Sequence, residues 1–568
     1  MRFLLAGALA TVTAAGLATI RPPVLTEDEK AAGRAIREGR MRADVRFLSS
    51  DLLEGRGPAT RGDALARAYI ASRLEAIGLE PGAPGGAWEQ PVDLVGVTAR
   101  CPPVLRVVRG GAGEDLRFVD DYVAYSGVPE GEVTLRDAEI VFVGYGIVAP
   151  EYRWDDYKGA DLRGRVLLFL NDEPQADPKL FAGERRLYYG RWDYKHEMAA
   201  KMGAAGAIVL HTDASAGYGW KVVPASWTGE QLSLPAAPGD PTLPVKAWVT
   251  EAAGRRIARL AGHDLDSLRA AAETRAFHPV PLGVRVSLTL KNDVRRSSTA
   301  NVIGLLRGRD PDLAREAVLY TAHHDHYGVK PGPSGEPVVY NGALDNASGV
   351  AALLGIAQAF VALPARPRRS ILFAAVAAEE QGLLGSDHLA RHPPVPAGRL
   401  AADINLDGMN IWGRTRDVPV IGLGKSSLDD WIRAVAEAQG RVVVPEAFPD
   451  KGAYYRSDHL SFARVGVPSA YVDAGTEVIG KPPGWGRARQ REWEDAHYHQ
   501  PSDDLTADWD LAGAVEDAQL LFHVGAKVAD APLAPTWRRG DEFEPARKRA
   551  LTEIDPGSFT RPSRSPSE

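Results

Sequence analysis

The sequence predicts an α/β protein: a mostly parallel mixed sheet flanked by helices, with a β-rich module inserted into it. Three observations carry this. From about residue 284, apolar runs at 317–322, 371–377, 401–406 and 469–472 alternate with helical stretches at 349–360, 428–439 and 511–528. Continuous apolar strands joined by helices are the mark of parallel strands covered on both faces. From about 121 to 273 the pattern differs, with short strand-like runs at 140–143, 165–170, 207–210 and 245–249 around one helical piece, 194–202. Finally, 45% hydrophobic and 25% charged residues are ordinary globular values, so a large core is available to 568 residues.

Taken in chain order, residues 3–20 form an Ala/Leu/Gly-rich run behind Arg2, followed by small residues that suit cleavage, and residues 1–20 read as a signal peptide. The alternative is an uncleaved membrane anchor, since 18 residues approach the length of a spanning helix. Thr26 and Glu29 make a capping box for a helix through 31–46. A second helix runs over 63–77 and stops at Gly78. Residues 27–120 and 280–530 make the α/β domain, 121–273 the insert, and 535–568, rich in Pro, Arg, Ser and Glu, a disordered tail.

Several function classes drop out. A net charge of −7 argues against bulk nucleic-acid binding. One cysteine, Cys101, excludes an intrachain disulfide and any all-thiolate metal site. Gly144-Tyr145-Gly146 reads as a strand-end turn, Gly424-Lys425-Ser426 lacks the upstream glycine of a phosphate loop, and no G-x-S-x-G elbow is present.

What remains is a set of five segments rich in His and carboxylates, most of them at ends of predicted strands: His323-His324-Asp325-His326, Asp345-Asn346, Glu379-Glu380, Asn405-Leu406-Asp407 and Tyr498-His499. Taken singly, each has an ordinary reading as a helix cap, a turn or a solvated pair, and His324 and His326 read as supporting or solvated residues. Together they do not. Ionised carboxylates at the end of a buried strand are costly unless compensated, and a divalent cation compensates them. His, Asp and Glu without thiolate suit zinc, with manganese or cobalt as alternatives. Five ligands suit two ions sharing one carboxylate.

These segments, in this order, resemble the co-catalytic di-zinc exopeptidase family that includes secreted bacterial leucyl aminopeptidases and glutamate carboxypeptidase. Ser457-Asp458-His459 resembles a further family segment. Phe142-Val143-Gly144-Tyr145-Gly146 and Trp154-Asp155-Asp156-Tyr157 resemble the protease-associated domain found inserted in such enzymes. The resemblance implies that His323 and Asp407 bind one zinc, Glu380 and His499 the other, and Asp345 bridges. It implies that Glu379 is the general base, that Asp325 orients His323 by accepting its second ring N–H, and that Tyr498 polarises the substrate carbonyl. The implied activity is a metallo-aminopeptidase acting on peptide substrates, exported to the periplasm or beyond. Alternatives are a carboxypeptidase or dipeptidase, for which Arg456 supplies a basic group, aminoacyl cyclisation on one zinc, and a non-catalytic binding module. The last predicts lost ligands, and all five are present.

Overall fold

A computed structural model describes residues 25–554, apart from positions 184 and 333. The apolar run at 3–20 lies outside the described residues. The capping box at Thr26 and Glu29 is formed, but the helix it opens ends at Gly33, and a second helix, Glu38–Leu48, follows. Helix α1 (Arg61–Ile77) ends where Gly78 turns left-handed at φ 100°.

Two strands lead out of the α/β domain and back, β1 (Glu89–Arg100) and β2 (Val280–Leu306). They pair antiparallel over twelve residues, from Glu89 opposite Val302 to Arg100 opposite Lys291. Beyond them come β3 (Ala317–His323), helix α2 (Gly349–Val361), β4 (Ser370–Val376), β5 (Leu400–Asn405), β6 (Ser469–Val472) and helix α3 (Ala512–Asp530). The order β4-β3-β5-β6 is parallel throughout, and antiparallel pairings with β2 and with Asp417–Ile421 close it on either side. β3, β4 and β5 are buried at every position, as their unbroken apolar character requires. α2 and α3 pack on this sheet through Leu353, Phe360, Leu521 and Phe522.

A second apolar core gathers around Phe142, Phe169, Leu210 and Val249. It draws on Leu105 to Leu290, wider than the expected 121–273 because strands Val104–Arg109 and Ala112–Arg117 and the first half of β2 fold with it, and it continues into Ile421, Tyr454, Tyr455 and Leu460 of the α/β part. The tail also differs from expectation. Trp537 and Phe543 are buried in this second core, Trp537 Nε1 donates to the Gly466 carbonyl at 2.9 Å, and Glu544–Thr552 is helical. Lys425 pairs with Asp541 at 3.0 Å and Glu542 at 2.7 Å. Two aromatic anchors outweigh the polar composition around them. Residues 555–568 lie outside the described residues.

Candidate metal centre and active site

The ends of β3, β4 and β5 lie side by side, and each carries part of one polar cluster. His323 is the last residue of β3 and is buried. Its Nε2 lies 3.1 Å from Asp345 Oδ1 and 3.2 Å from Asp407 Oδ1. On the other side, His499 Nε2 lies 3.2 Å from Asp345 Oδ2 and 3.3 Å from Glu380 Oε2. Asp345 thus turns one oxygen towards each imidazole. All five side chains expected as ligands are brought together, in two sets of three that share Asp345.

A sixth group joins them. His326 Nδ1 lies 2.5 Å from Glu380 Oε1, and His326, Asp345 and Glu380 also group tightly enough to hold an ion. Sequence reasoning set His326 aside. Of the two imidazoles facing Glu380, His326 makes the tighter group with Asp345 and Glu380, and His499, the expected ligand, faces both acids at 3.2 and 3.3 Å. Its Nε2 meets both carboxylates, and its Nδ1 is held at 2.9 Å by the Tyr327 hydroxyl, the kind of outer contact that fixes a ligand ring.

The loops are held by groups behind the cluster. Arg56 is buried and donates to the carbonyls of Leu48, His324 (2.7 Å), Asn341 (2.6 Å) and Gly342 (2.9 Å), tying the His323 loop to the Asp345 loop. Gly342 is left-handed at φ 55°, and a Cβ there would meet the Asp345 carbonyl at 2.2 Å and His326 at 2.5 Å. Asp503 accepts the N–H groups of Leu344 (2.9 Å) and Asp345 (3.1 Å), which joins the His499 segment to the bridging residue. Asn346 accepts from the Gly408 N–H at 3.1 Å and donates to Leu406 O at 2.8 Å, joining Asp345 to the Asp407 turn. Asn405 donates to Ser457 Oγ at 2.6 Å, and Ser457 Oγ donates to Asp407 Oδ2 at 2.5 Å.

Asp325 acts differently from what the resemblance implied. Its carboxylate is 3.9 Å from His323 Nδ1, whereas its backbone carbonyl is at 3.3 Å. The carboxylate instead accepts the backbone N–H of Glu379 at 3.0 Å and of Glu380 at 3.4 Å. It therefore shapes the turn that presents both glutamates, and the main chain orients the imidazole. The Tyr498 ring stacks on His499 with centroids 3.7 Å apart, and Arg456 donates to its hydroxyl at 3.3 Å.

The electrostatics fit a cation. His326 Nε2 is buried without a hydrogen-bond partner, and Glu380 Oε1 meets only the other nitrogen of that ring. Burial, then repulsion from Glu380, Asp407 and Asp458, holds the Glu379 carboxyl well above the usual range. Burial and Asp345 push Glu380 up to about 8. Burial opposes charge on His323, yet Glu379, Asp345 and Asp407 outweigh it and hold this imidazole well above its ordinary value. Acids that crowd together and a histidine driven to hold a proton are what a site for divalent ions looks like without them. Imidazole and carboxylate donors with no thiolate match zinc.

Arg56, Tyr327 and Asp503 escaped sequence reasoning. The clues were present: Glu54-Gly55-Arg56-Gly57 is a glycine-flanked arginine, Tyr327 follows His326 directly, and Asp503 lies four residues after His499.

Comparison with known proteins agrees with this geometry. The sequence model of peptidase family M28 matches residues 301–523, which contain all five ligand residues. Aminopeptidase NAALADL1 of Mus musculus is 35% identical over 111 residues, 19% of this chain and 13% of that protein. A probable zinc metalloprotease of Pyrenophora teres f. teres is 39% identical over 111 residues, 19% of this chain and 22% of its own. Aminopeptidase YwaD of Bacillus subtilis is 28% identical over 224 residues, 39% of this chain and 42% of its own. The matched stretches span less than half the length of each of these relatives. Among solved structures, the aminopeptidase from Aneurinibacillus sp. strain AM-1 aligns with a TM-score of 0.48 at 20% identity, covering 89% of this chain and 97% of that one.

Proposed function

We propose, taking as premise that residues 301–523 belong to peptidase family M28, that the chain is a zinc-dependent exopeptidase that removes amino-terminal residues from peptides. The observation that carries the reading is the position of Asp345, one oxygen towards His323 and the other towards His499, with Asp407 and Glu380 completing two ligand sets. His323, Asp345 and Asp407 would hold one ion, and His499, Glu380 and Asp345 the other. Zinc bound there supplies Lewis acidity for the scissile carbonyl and lowers the pKa of water from about 15.7 towards 7.

The chain's own groups handle the protons. Glu379 lies 4.0 Å from His323 Nε2, and its carboxyl has a raised proton affinity. It takes one proton from the attacking water as the oxygen bonds to the carbonyl carbon. It returns that proton to the amine nitrogen as the C–N bond breaks, so the products are a carboxylic acid and a shortened peptide. Acid–base help of this kind contributes about 10²–10⁴-fold. Tyr498, held by Arg456, offers a hydroxyl to the carbonyl oxygen.

The second core, which reaches Tyr454 and Tyr455 next to Arg456, is in keeping with a module of the protease-associated kind. The apolar amino terminus supports export to the periplasm or the extracellular space. Glu379→Ala should lose about 10²–10⁴-fold in turnover while elemental analysis still finds about two zincs per chain. Parental turnover in that variant would overturn the base assignment. Equal cleavage of N-acetylated and free peptides would overturn the amino-terminal assignment.

A further inference from the structure

The carboxyl-terminal segment grips the catalytic half of the molecule at three places. Arg547 is buried and donates to the carbonyls of Ala397 and Leu400 at 3.0 Å each, at the start of β5. Trp537 holds the Gly466 carbonyl shortly before β6. The third grip is an ion network. Glu542 Oε1 accepts from the Tyr455 hydroxyl at 2.6 Å and from Lys425 Nζ at 2.7 Å. The same ammonium lies 5.0 Å from the centre of the Tyr454 ring and 5.1 Å from that of Phe543. Lys425 and Glu542 are each 12% exposed and Tyr455 is 1% exposed, so the network lies under cover, where its geometry is strict.

Two routes lead from this network to one metal ligand. Tyr455 stands two residues before Ser457, whose hydroxyl donates to Asp407 Oδ2 at 2.5 Å. The Tyr454 ring lies 4.5 Å from that of His459, His459 lies 5.3 Å from Tyr471, and the Tyr471 hydroxyl donates to the Asp407 carbonyl at 2.9 Å. Both the carboxylate and the main chain of Asp407 are thus held from the segment that Glu542 anchors. Neither route ends on His499 or Glu380. A hydroxyl–carboxylate bond tolerates little movement, since O–H···O distances cluster within about 2.5–3.0 Å, and only one residue separates Tyr455 from Ser457 to absorb a shift.

We propose that Glu542 and Tyr455 are positioning residues for Asp407, so that docking of the carboxyl-terminal segment sets the affinity for the ion held by His323, Asp345 and Asp407 and leaves the other ion unaffected. This rests on the two-ion reading above. Loss of an outer contact weakens metal binding by about 10–100-fold. Ser457 makes that contact itself, and Tyr455 acts through it.

The full chain, stripped of metal, should be titrated with zinc against a competing chelator that resolves two binding steps. Tyr455→Phe removes one oxygen and should weaken one step by about ten-fold, the lower end of that range, with the other step unchanged. Ser457→Ala should weaken the same step by more. Glu542→Gln, which keeps an acceptor for the Tyr455 hydroxyl, should lose less than Tyr455→Phe. In a Glu380→Gln background the effect of Tyr455→Phe should persist, and in an Asp407→Asn background it should vanish. Equal weakening of both steps, or an undiminished effect in the Asp407→Asn background, would show a network that only stabilises the fold, and overturns the proposal. Parental affinity at both steps in Tyr455→Phe overturns it as well and leaves the peptidase reading standing. A parental protein that takes up no zinc overturns both.

Discussion

In the second core, Lys195 is buried among Asp156, Asp172 and Glu173, and its ammonium donates to the carbonyls of Asp172 at 2.8 Å and Tyr189 at 2.6 Å. In the first core, Asp345, Glu379, Glu380, Asp407 and Asp458 converge with no buried lysine beside them among the described residues. The buried cation that stands near them, Arg56, spends its N–H groups on four main-chain carbonyls. Both clusters carry several acids in a place where charge is costly. Both cations, Lys195 and Arg56, donate to main-chain carbonyls, so the difference is one of number: three acids share one lysine, whereas five acids meet beside Arg56, an excess that an ion from solution would offset. The presence of acids therefore does not distinguish a metal centre from a structural knot. What distinguishes them is how far the acids outnumber the cations the chain supplies, and the imidazoles that join the acids in the first core.

Exchanging or removing the central group on each side puts that contrast to the test. Asp345→Ala should have the largest effect. It takes one ligand from each set, so zinc content measured by elemental analysis should fall towards zero and turnover with it. Retention of both ions would break the comparison. Lys195→Met should leave zinc content unchanged and cost about 1–3 kcal/mol of stability, the usual result of leaving buried acceptors without their donor; denaturant unfolding of the zinc-loaded protein measures it. Tyr327→Phe removes the hydroxyl at His499 Nδ1 and should weaken zinc binding by about 10–100-fold, read by competition with a chelator.

The smallest effect concerns pH. Glu380 is pushed up to about 8 by burial and Asp345, and Asp458 and Asp503 to about 7, with burial again the main cause. Acids with raised values bind more protons folded than unfolded between roughly their ordinary values and these. Their contribution is present at low pH and lost as pH rises through 7 to 8. The melting temperature of the metal-free protein should therefore fall by several degrees from pH 5 to 8. Zinc, which competes with those protons, should reverse the trend. A metal-free profile that rises over the same window would mean the acids are compensated after all.

Much of this was legible because the informative residues break a pattern. An acid straight after a run such as Ile-Leu-Phe-Ala-Ala-Val stands out, so the ends of β3, β4 and β5 were found along with their ligands. Arg56 was not, because its partners are main-chain carbonyls, three of the four some 270 to 290 positions later, which leave no trace in residue type. Asp325 was given the wrong acceptor for a related reason: spacing cannot tell a carboxylate from the carbonyl of the same residue. The tail was misread because composition averages over Trp537 and Phe543, the two side chains that anchor it.

The paired strands β1 and β2 are both the stem of the insert and the wall of the catalytic sheet. Side chains on such a ribbon alternate between faces, so one residue added to or cut from either strand turns every later side chain to the opposite face. Anyone grafting a different module onto this protein must therefore trim the ribbon in matched steps of two, keeping Val302 opposite Glu89 at its base. A graft cut at an odd position would arrive upside down and carry the misalignment into the sheet that bears the polar cluster.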